Sequence, residues 1–572
     1  VRKRGFSKLF IFAAMNWWKN PWWIALVVFV INMAIRLIHA GAYFPQGDEP
    51  FTVYFAQWPI GDIYKIVSTS NNPPTFEILL HLWMKVVGLD PFALRLLSVL
   101  LISLGASVIA LIAFRLNGWK VCVVSSILFL LTNFQMDFAH TLRAYALLIC
   151  SSAWSMYFFM SSSTDLSARN RIGWILTSFM TIASHYFGWF VIFTQWAALL
   201  MFKREKRFGR YTIINSGILL LMYLPLLVVM LKRYFATLDE GTFLTPVVNL
   251  KPLYEIGFYA MNSNEWLLLA VGGTLFAGLW WTIIHSSYQR VGKVVMMIFS
   301  VLAALPFMTS FSFVLNFPLT GWFNSQGVAL FSMVVLCGLV ILLLIKSNWR
   351  FESRVVLLWA FLPLVAIWFC SFKVPMFLDR YLSHILTALV LLIPAVLFAI
   401  PRKATVIGIP IVIALFGMSF NIAPTRILDS RPADVALKEM KREETLVILS
   451  PGYQDFMFAY FYSKDLFANA QMHREDTLGE RIITESNFAV YKEGIRRALR
   501  RENIYVINDI SMFPLSLDSL DDVVHYEFNT AVCYPENRIK DTLEAEFGTA
   551  QEVVSFPEGI YLYHYTRNRK SE

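Results

Sequence analysis

The 572-residue chain is 57% hydrophobic and only 15% charged, against about 25% charged in soluble domains, which excludes a water-soluble enzyme. Its charge is divided: residues 1–429 carry 32 Lys/Arg against 15 Asp/Glu, a net +17, while residues 430–572 carry 17 against 24, a net −7. The basic residues sit in short clusters between apolar runs, with no Cys/His finger or aromatic-basic reading module, so they report membrane topology and exclude nucleic acid as a partner. The five cysteines, at 122, 150, 337, 370 and 533, have the spacing of neither a disulfide framework nor a structural zinc site.

A membrane span takes about 20 mainly apolar residues. Thirteen such stretches follow in chain order: 22–38, 94–114, 120–136, 142–161, 172–184, 187–202, 211–230, 265–284, 292–311, 325–345, 355–371, 380–400 and 404–422. The first has no small-residue cleavage pattern, so it is expected to stay as a span and not to be removed as a signal peptide. The apolar stretch over 172–202 is divided at SHYFG into two short helices. With VRKRGFSK cytoplasmic, that division puts Arg115/Lys120, Arg169/Arg171, KREKRFGR (203–210), Arg290/Lys293, Lys346/Arg350/Arg354 and Arg402/Lys403 all inside. Merging the two would invert every later loop.

Two non-cytoplasmic segments, 39–93 and 231–264, are too long to be turns. The first carries amphipathic pieces at 50–67 and 73–88, shorter than a span, which read as interfacial helices on the outer leaflet. Past residue 425 the period changes. Strands are expected at 445–451, 503–509, 551–556 and 559–565, and helices at 487–502 and 535–548, the second stopped by Gly548. No glycine-rich phosphate loop follows these strands, so a nucleotide site has little support. The expected architecture is a polytopic all-α membrane domain of about thirteen transmembrane helices (1–425, with both long loops), followed by a small extracytoplasmic α/β domain (426–572).

The middles of the spans are essentially free of charge, whereas Arg36, Arg95, Arg143 and Arg380 gather towards the non-cytoplasmic side. A flippase or transporter of a lipid-linked saccharide would need a polar path from face to face. One-sided polarity suits a catalyst working at one membrane surface on a substrate with a lipid tail. In FPQGDEPFTVY, the acid pair Asp48–Glu49 follows the first span; such a pair positions a base against a hydroxyl or holds a divalent cation. Adjacent side chains point apart, so Asp48 is assigned as the reactive acid and Glu49 as its support, the alternative being a helix-capping Asp in a solvated loop. A divalent metal ion, if one is used, would sit on these two carboxylates; no cofactor is otherwise implied.

In NFQMDFAHTLRAYAL, Arg143 lies just inside the fourth span with Asp137, His140 and Tyr145 around it. It either snorkels to the headgroups or holds a phosphate or catalytic carboxylate. In FCSFKVPMFLDRYLSH, Lys373 and Arg380 flank Asp379 at the outer mouth of a span, where paired cations are unusual. They contact either a phosphate or diphosphate or the lipid headgroups. His185 and Tyr186 are further candidates for lining a substrate site.

Taken together, GDEPFTVY, NNPPTFEILLHLWMKVVGLDPFALRLLSVL, LRAYALL, HYFGWF and MFLDRYLSH, in that order over residues 20–425, resemble the bacterial GT-C membrane glycosyltransferases of the protein O-mannosyltransferase and lipid A aminoarabinose transferase superfamily (family 39-like). The tail is similar to the arrangement in the aminoarabinose transferases. The resemblance implies a sugar donor carried on a polyprenyl phosphate such as undecaprenyl phosphate, and a lipid, glycan or protein acceptor. It also implies an inner-membrane location with a periplasmic catalytic face, and a single displacement with inversion. Asp48 corresponds to the catalytic acid of the first loop, Arg143 and Tyr145 to the Arg-x-Tyr of the fourth span, and Arg380 and Tyr381 to the late Arg-Tyr pair. Many relatives carry Glu two residues before the first Arg; here that place is Thr141, with Asp137 or His140 as candidate replacements. The competing expectations are a lipid-linked-saccharide flippase and a diphosphate-lipid-dependent oligosaccharide ligase or polymerase.

Overall fold

The structure, a computed structural model, describes residues 20–42, 47–68, 70, 72–202, 205–240, 249–308, 325–346, 349–374, 376–424, 431–468, 470, 492–508, 510–528, 538–557 and 559–567. The basic N-terminal segment, the end of the expected span 292–311 and parts of the 203–210, 231–264 and 487–502 segments lie outside these. The chain forms two compact units that interleave in sequence: the described parts of Val1–His39, Ser98–His140 and Ala144–Thr425 make one, and those of Ala40–Leu97, Thr141–Arg143 and Arg426–Glu572 the other.

The first unit is helical, and the described part of each of the thirteen expected spans falls largely on helix. Seven described helices are long and apolar enough to cross a membrane, among them Glu265–Ile284, Phe351–Cys370 and Arg402–Ser419; Pro21–Leu37, Tyr186–Met201 and Gln326–Leu342 are shorter apolar ones. Spans two and three share the 40-residue element Pro91–Leu130, which breaks at Asn117 (φ −156°) and Gly118 (φ +76°). A side chain at Gly118 would be strained in that left-handed conformation. The element ends at Leu130, not 136, because Thr132 turns extended and Asn133–Ala139 forms a separate short helix. Its last carbonyls are satisfied from another span: Arg36 Nη2 donates to Phe129 O and Leu130 O, both at 3.2 Å, placing a cation where the helix end is electronegative.

The 172–202 stretch is two helices. Ala168–Ser184 stops at His185, whose backbone is extended (φ −158°, ψ 139°), and the 3-10 turn Tyr186–Gly188 leads into Trp189–Met201. The His185 ring accepts from Phe187 N–H at 3.2 Å. A Cβ on Gly188 would lie 2.2 Å from Thr181 O, so the turn closes this tightly only with glycine.

In the second unit, strands β1 (Leu446–Ser450), β2 (Ile504–Val506), β3 (Asp522–Phe528), β4 (Glu552–Ser555) and β5 (Ile560–Thr566) form one sheet in the order β2-β1-β3-β5-β4. β1 runs parallel to β2 and β3, and β5 antiparallel to β3 and β4. Every residue of β1 is buried, as a central parallel strand covered on both faces requires. β3 has no counterpart among the expected strands. The expected tail helices appear as Glu493–Arg501 and Arg538–Phe547, with Gly548 at φ +85° beyond the second.

The early segment joins this unit through aromatic rings. Glu49–Ala56, Ile60–Val67 and Thr75–Val87 are its helices, and Val53, Tyr54, Phe55, Ala56 and Trp58 are almost wholly buried. Phe456, on the Asp455–Tyr462 helix, meets Phe51, Tyr54 and Phe55 at ring-centroid distances of 5.7, 5.0 and 5.4 Å, and Phe467 meets Tyr54 at 5.6 Å. Edge-on and tilted contacts of this kind bury large apolar area and fix mutual orientation. Glu49–Ala56 is therefore a packed helix and not one lying bare on the leaflet.

Candidate functional site

Asp48 and Glu49 stand at the start of the Glu49–Ala56 helix, Asp48 as its N-cap residue in helical conformation without capping through its side chain. The pair is split as adjacent side chains must be. Glu49 points inward, 6% exposed: Oε1 accepts from Leu142 N–H at 2.9 Å, and Oε2 lies 3.6 Å from Arg95 Nη2. Arg95, 1% exposed, also donates to Ala40 O at 3.3 Å. Asp48 points outward, 61% exposed, with Oδ2 3.8 Å from Nη2 of Arg143, itself 14% exposed. Arg143 Nη1 donates to Thr52 Oγ1 at 2.9 Å, and Thr52 Oγ1 donates to Glu77 Oε1 at 3.4 Å. Burial pushes the Glu77 carboxyl up, while the Arg143 charge and the Thr52 hydroxyl pull it back.

This arrangement leaves Asp48 as the open carboxylate. Both oxygens of Glu49 are engaged, and among the described residues no group of three or more His, Cys, Asp or Glu comes together as a metal site. The acid pair thus does not form a two-carboxylate donor set.

The remaining candidates belong to the first unit. His140 is buried at the end of the Asn133–Ala139 helix, its Nδ1 2.9 Å from Met136 O, and Asp137 Oδ2 accepts from the Tyr259 hydroxyl at 2.9 Å. Tyr145, His185 and Tyr381 form an aromatic cluster, the His185 ring lying 6.0 Å from Tyr145 and 5.1 Å from Tyr381. Phe187 stacks on Tyr381 at 4.9 Å. Tyr186 occupies the adjoining 3-10 turn. Arg380 is half-buried, its guanidinium 5.8 Å from the Tyr381 ring centre, and Asp379 accepts the Arg380 N–H at 2.6 Å. Lys373 is exposed on the turn that follows the Phe351–Cys370 helix.

Arg95, Thr52 and Glu77 are not among the site residues expected from the sequence. Arg95 carried a usable signal, a cation at the head of an otherwise apolar span. Glu77 and Thr52 carried none, because an amphipathic sequence does not say which neighbour its inner face meets.

No family model and no curated protein matches the chain. Among solved structures it is similar to the crystal structure of ArnT from Cupriavidus metallidurans in the apo state, at 13% identity and a TM-score of 0.45, over 96% of this chain and 98% of that one. It is also similar to ArnT from Cupriavidus metallidurans bound to undecaprenyl phosphate, at 12% identity and a TM-score of 0.42, over 94% and 97%.

Proposed function

We propose that the chain is a membrane glycosyltransferase that moves a sugar from a polyprenyl-phosphate donor to a lipid, glycan or protein acceptor at the periplasmic face of the inner membrane. The observation that carries this reading is the unequal embedding of the acid pair. Glu49 is locked by Leu142 N–H and Arg95, and Asp48 is left exposed beside a guanidinium. A carboxylate so placed accepts a proton while a neighbouring cation meets a developing anion.

In the proposed step the acceptor oxygen attacks the anomeric carbon as the bond from that carbon to the phosphate oxygen breaks. The acceptor proton passes to Asp48, and the leaving phosphate keeps the bonding electrons. Arg143, Lys373 and Arg380 are assigned to that negative charge, Arg143 through a guanidinium already oriented by Thr52. A phosphate acceptor brings no proton, and the Arg143 guanidinium beside Asp48 is then the group able to orient it. Asp137, His140, Tyr145, His185, Tyr186 and Tyr381 are assigned to substrate contact. The N-terminus is cytoplasmic and the tail periplasmic in this scheme, and single displacement inverts the anomeric centre.

The test is reconstitution of the purified chain in liposomes with labelled polyprenyl-phosphate sugars and a cell-envelope acceptor extract. Acceptor-dependent release of polyprenyl phosphate, with inverted configuration in the product, is the expected result. Movement of the labelled lipid between leaflets without cleavage would overturn the reading in favour of a flippase.

A further inference from the structure

Glu77 is buried on the Thr75–Val87 helix, and the fold does not explain it. A carboxyl group in such a place needs partners for its oxygens. Oε1 has Thr52, at 3.4 Å, while Oε2 is buried with no hydrogen-bond partner among the described residues. The hydroxyl of Thr52 accepts from Arg143 Nη1 at 2.9 Å. A guanidinium can only donate, and a hydroxyl has one proton to give. While Thr52 accepts from Arg143, its own proton must turn elsewhere, and Glu77 Oε1 is the acceptor in reach. Arg143 in turn lies 3.8 Å from Asp48.

We propose that Glu77 is a positioning residue for the transfer: by taking the Thr52 proton it keeps the Thr52 lone pair towards Arg143 and the guanidinium beside Asp48. This rests on the roles given above to Asp48 and Arg143. The polarity of the chain follows from donor and acceptor inventory alone, running from Arg143 to Thr52 to Glu77. Glu77 acts at two removes from the reacting atoms, so its contribution is geometric, and small displacements of a catalytic group are costly.

The experiment compares transfer by the reconstituted full chain carrying Glu77→Gln, Glu77→Leu, Thr52→Ser, Thr52→Val, Arg143→Ala and the double substitution Arg143→Ala/Glu77→Leu. Glu77→Gln keeps an acceptor oxygen and Thr52→Ser keeps the hydroxyl, so E77Q and T52S should stay within about threefold of wild type. E77L and T52V should each lose about tenfold in kcat/KM for the donor, with thermal unfolding and elution volume checked alongside. On the Arg143→Ala background, Glu77→Leu should add nothing, because the group it positions is gone. Wild-type rates in E77L and T52V, failure of E77Q to rescue, or a further tenfold loss in the double variant would each overturn the proposal while leaving Arg143 in place. A wild-type rate in R143A would instead remove Arg143 from the reaction, and this inference with it. If E77L does not fold, the near-isosteric T52V carries the same test.

Discussion

Glu49 and Asp455 are both buried carboxylates held by cations, one just after the first span and the other at the head of a tail helix. Asp455 is saturated. Lys492 Nζ and Arg496 Nε each stand 3.0 Å away, and Arg496 Nη2 donates to Gly452 O at 2.8 Å. This cluster anchors the helix bearing Phe456, and it leaves the Asp455 carboxylate closed to solvent. Around Glu49 the pairing is similar, but the preceding residue in the chain is an exposed Asp48 beside Arg143. A buried ion pair alone therefore marks a joint of the fold. What distinguishes the Glu49 joint is the exposed charge of Asp48 mounted on it, the group proposed as the base.

The largest expected effect tests that distinction directly. Asp48→Asn keeps the side-chain volume and removes the base, so transfer should fall by roughly 10²-fold or more with donor binding and thermal stability retained. Glu49→Gln should show the opposite balance. It removes the carboxylate charge that faces the buried Arg95, and breaking such a buried pair typically costs about 3–5 kcal/mol, read as a lowered unfolding temperature. Wild-type transfer by D48N would remove the site from this position.

Arg380 comes next. Alanine there should cost about tenfold in kcat/KM for the donor if the side chain serves a partly desolvated phosphate, whereas Arg500→Ala in the tail should leave donor use unchanged. Equal donor turnover by R380A and wild type at subsaturating donor would take Arg380 out of the proposed site.

Asp455→Asn probes the closed counterpart. It should destabilise the second unit, with faster amide exchange over Asp455–Tyr462 and Glu493–Arg501, yet transfer per folded molecule should remain within about twofold, the range of a substitution away from the chemistry. A folded D455N protein without activity would erase the contrast between the two carboxylates.

The smallest effect on transfer, and a separate effect on stability, belongs to His525 in β3. Its ring is buried, with Nε2 2.8 Å from Ser450 Oγ, and burial together with the Lys540 charge holds its pKa down to about 3. The folded state therefore keeps this imidazole neutral while the unfolded chain protonates it below about pH 6.5. The associated stability is present above pH 6.5 and is lost as pH falls towards 3. Thermal unfolding of the full chain between pH 7 and 4 should show that decline, and His525→Gln should flatten it without changing transfer at neutral pH.

Helix positions across the membrane domain were legible in the amino-acid sequence, because apolar length and basic loops are constraints that each segment satisfies by itself. The charge pattern even required the break at His185, which the extended backbone there supplies. The acid pair was legible for a similar local reason, since adjacent side chains diverge in any regular conformation. β3 was not: acids at 521, 522 and 527 and a histidine interrupt its apolar pattern, and only pairing between β1 and β5 makes it a strand. Nor was it legible that residues 40–97 and 141–143 pack with a tail beginning at residue 426. That grouping depends on Phe51, Tyr54 and Phe55 meeting Phe456, and on Leu142 N–H meeting Glu49. Contacts across hundreds of residues leave no period or spacing in either partner, so Arg95, Thr52 and Glu77 acquired their places around Asp48 and Arg143 only when the chain folded.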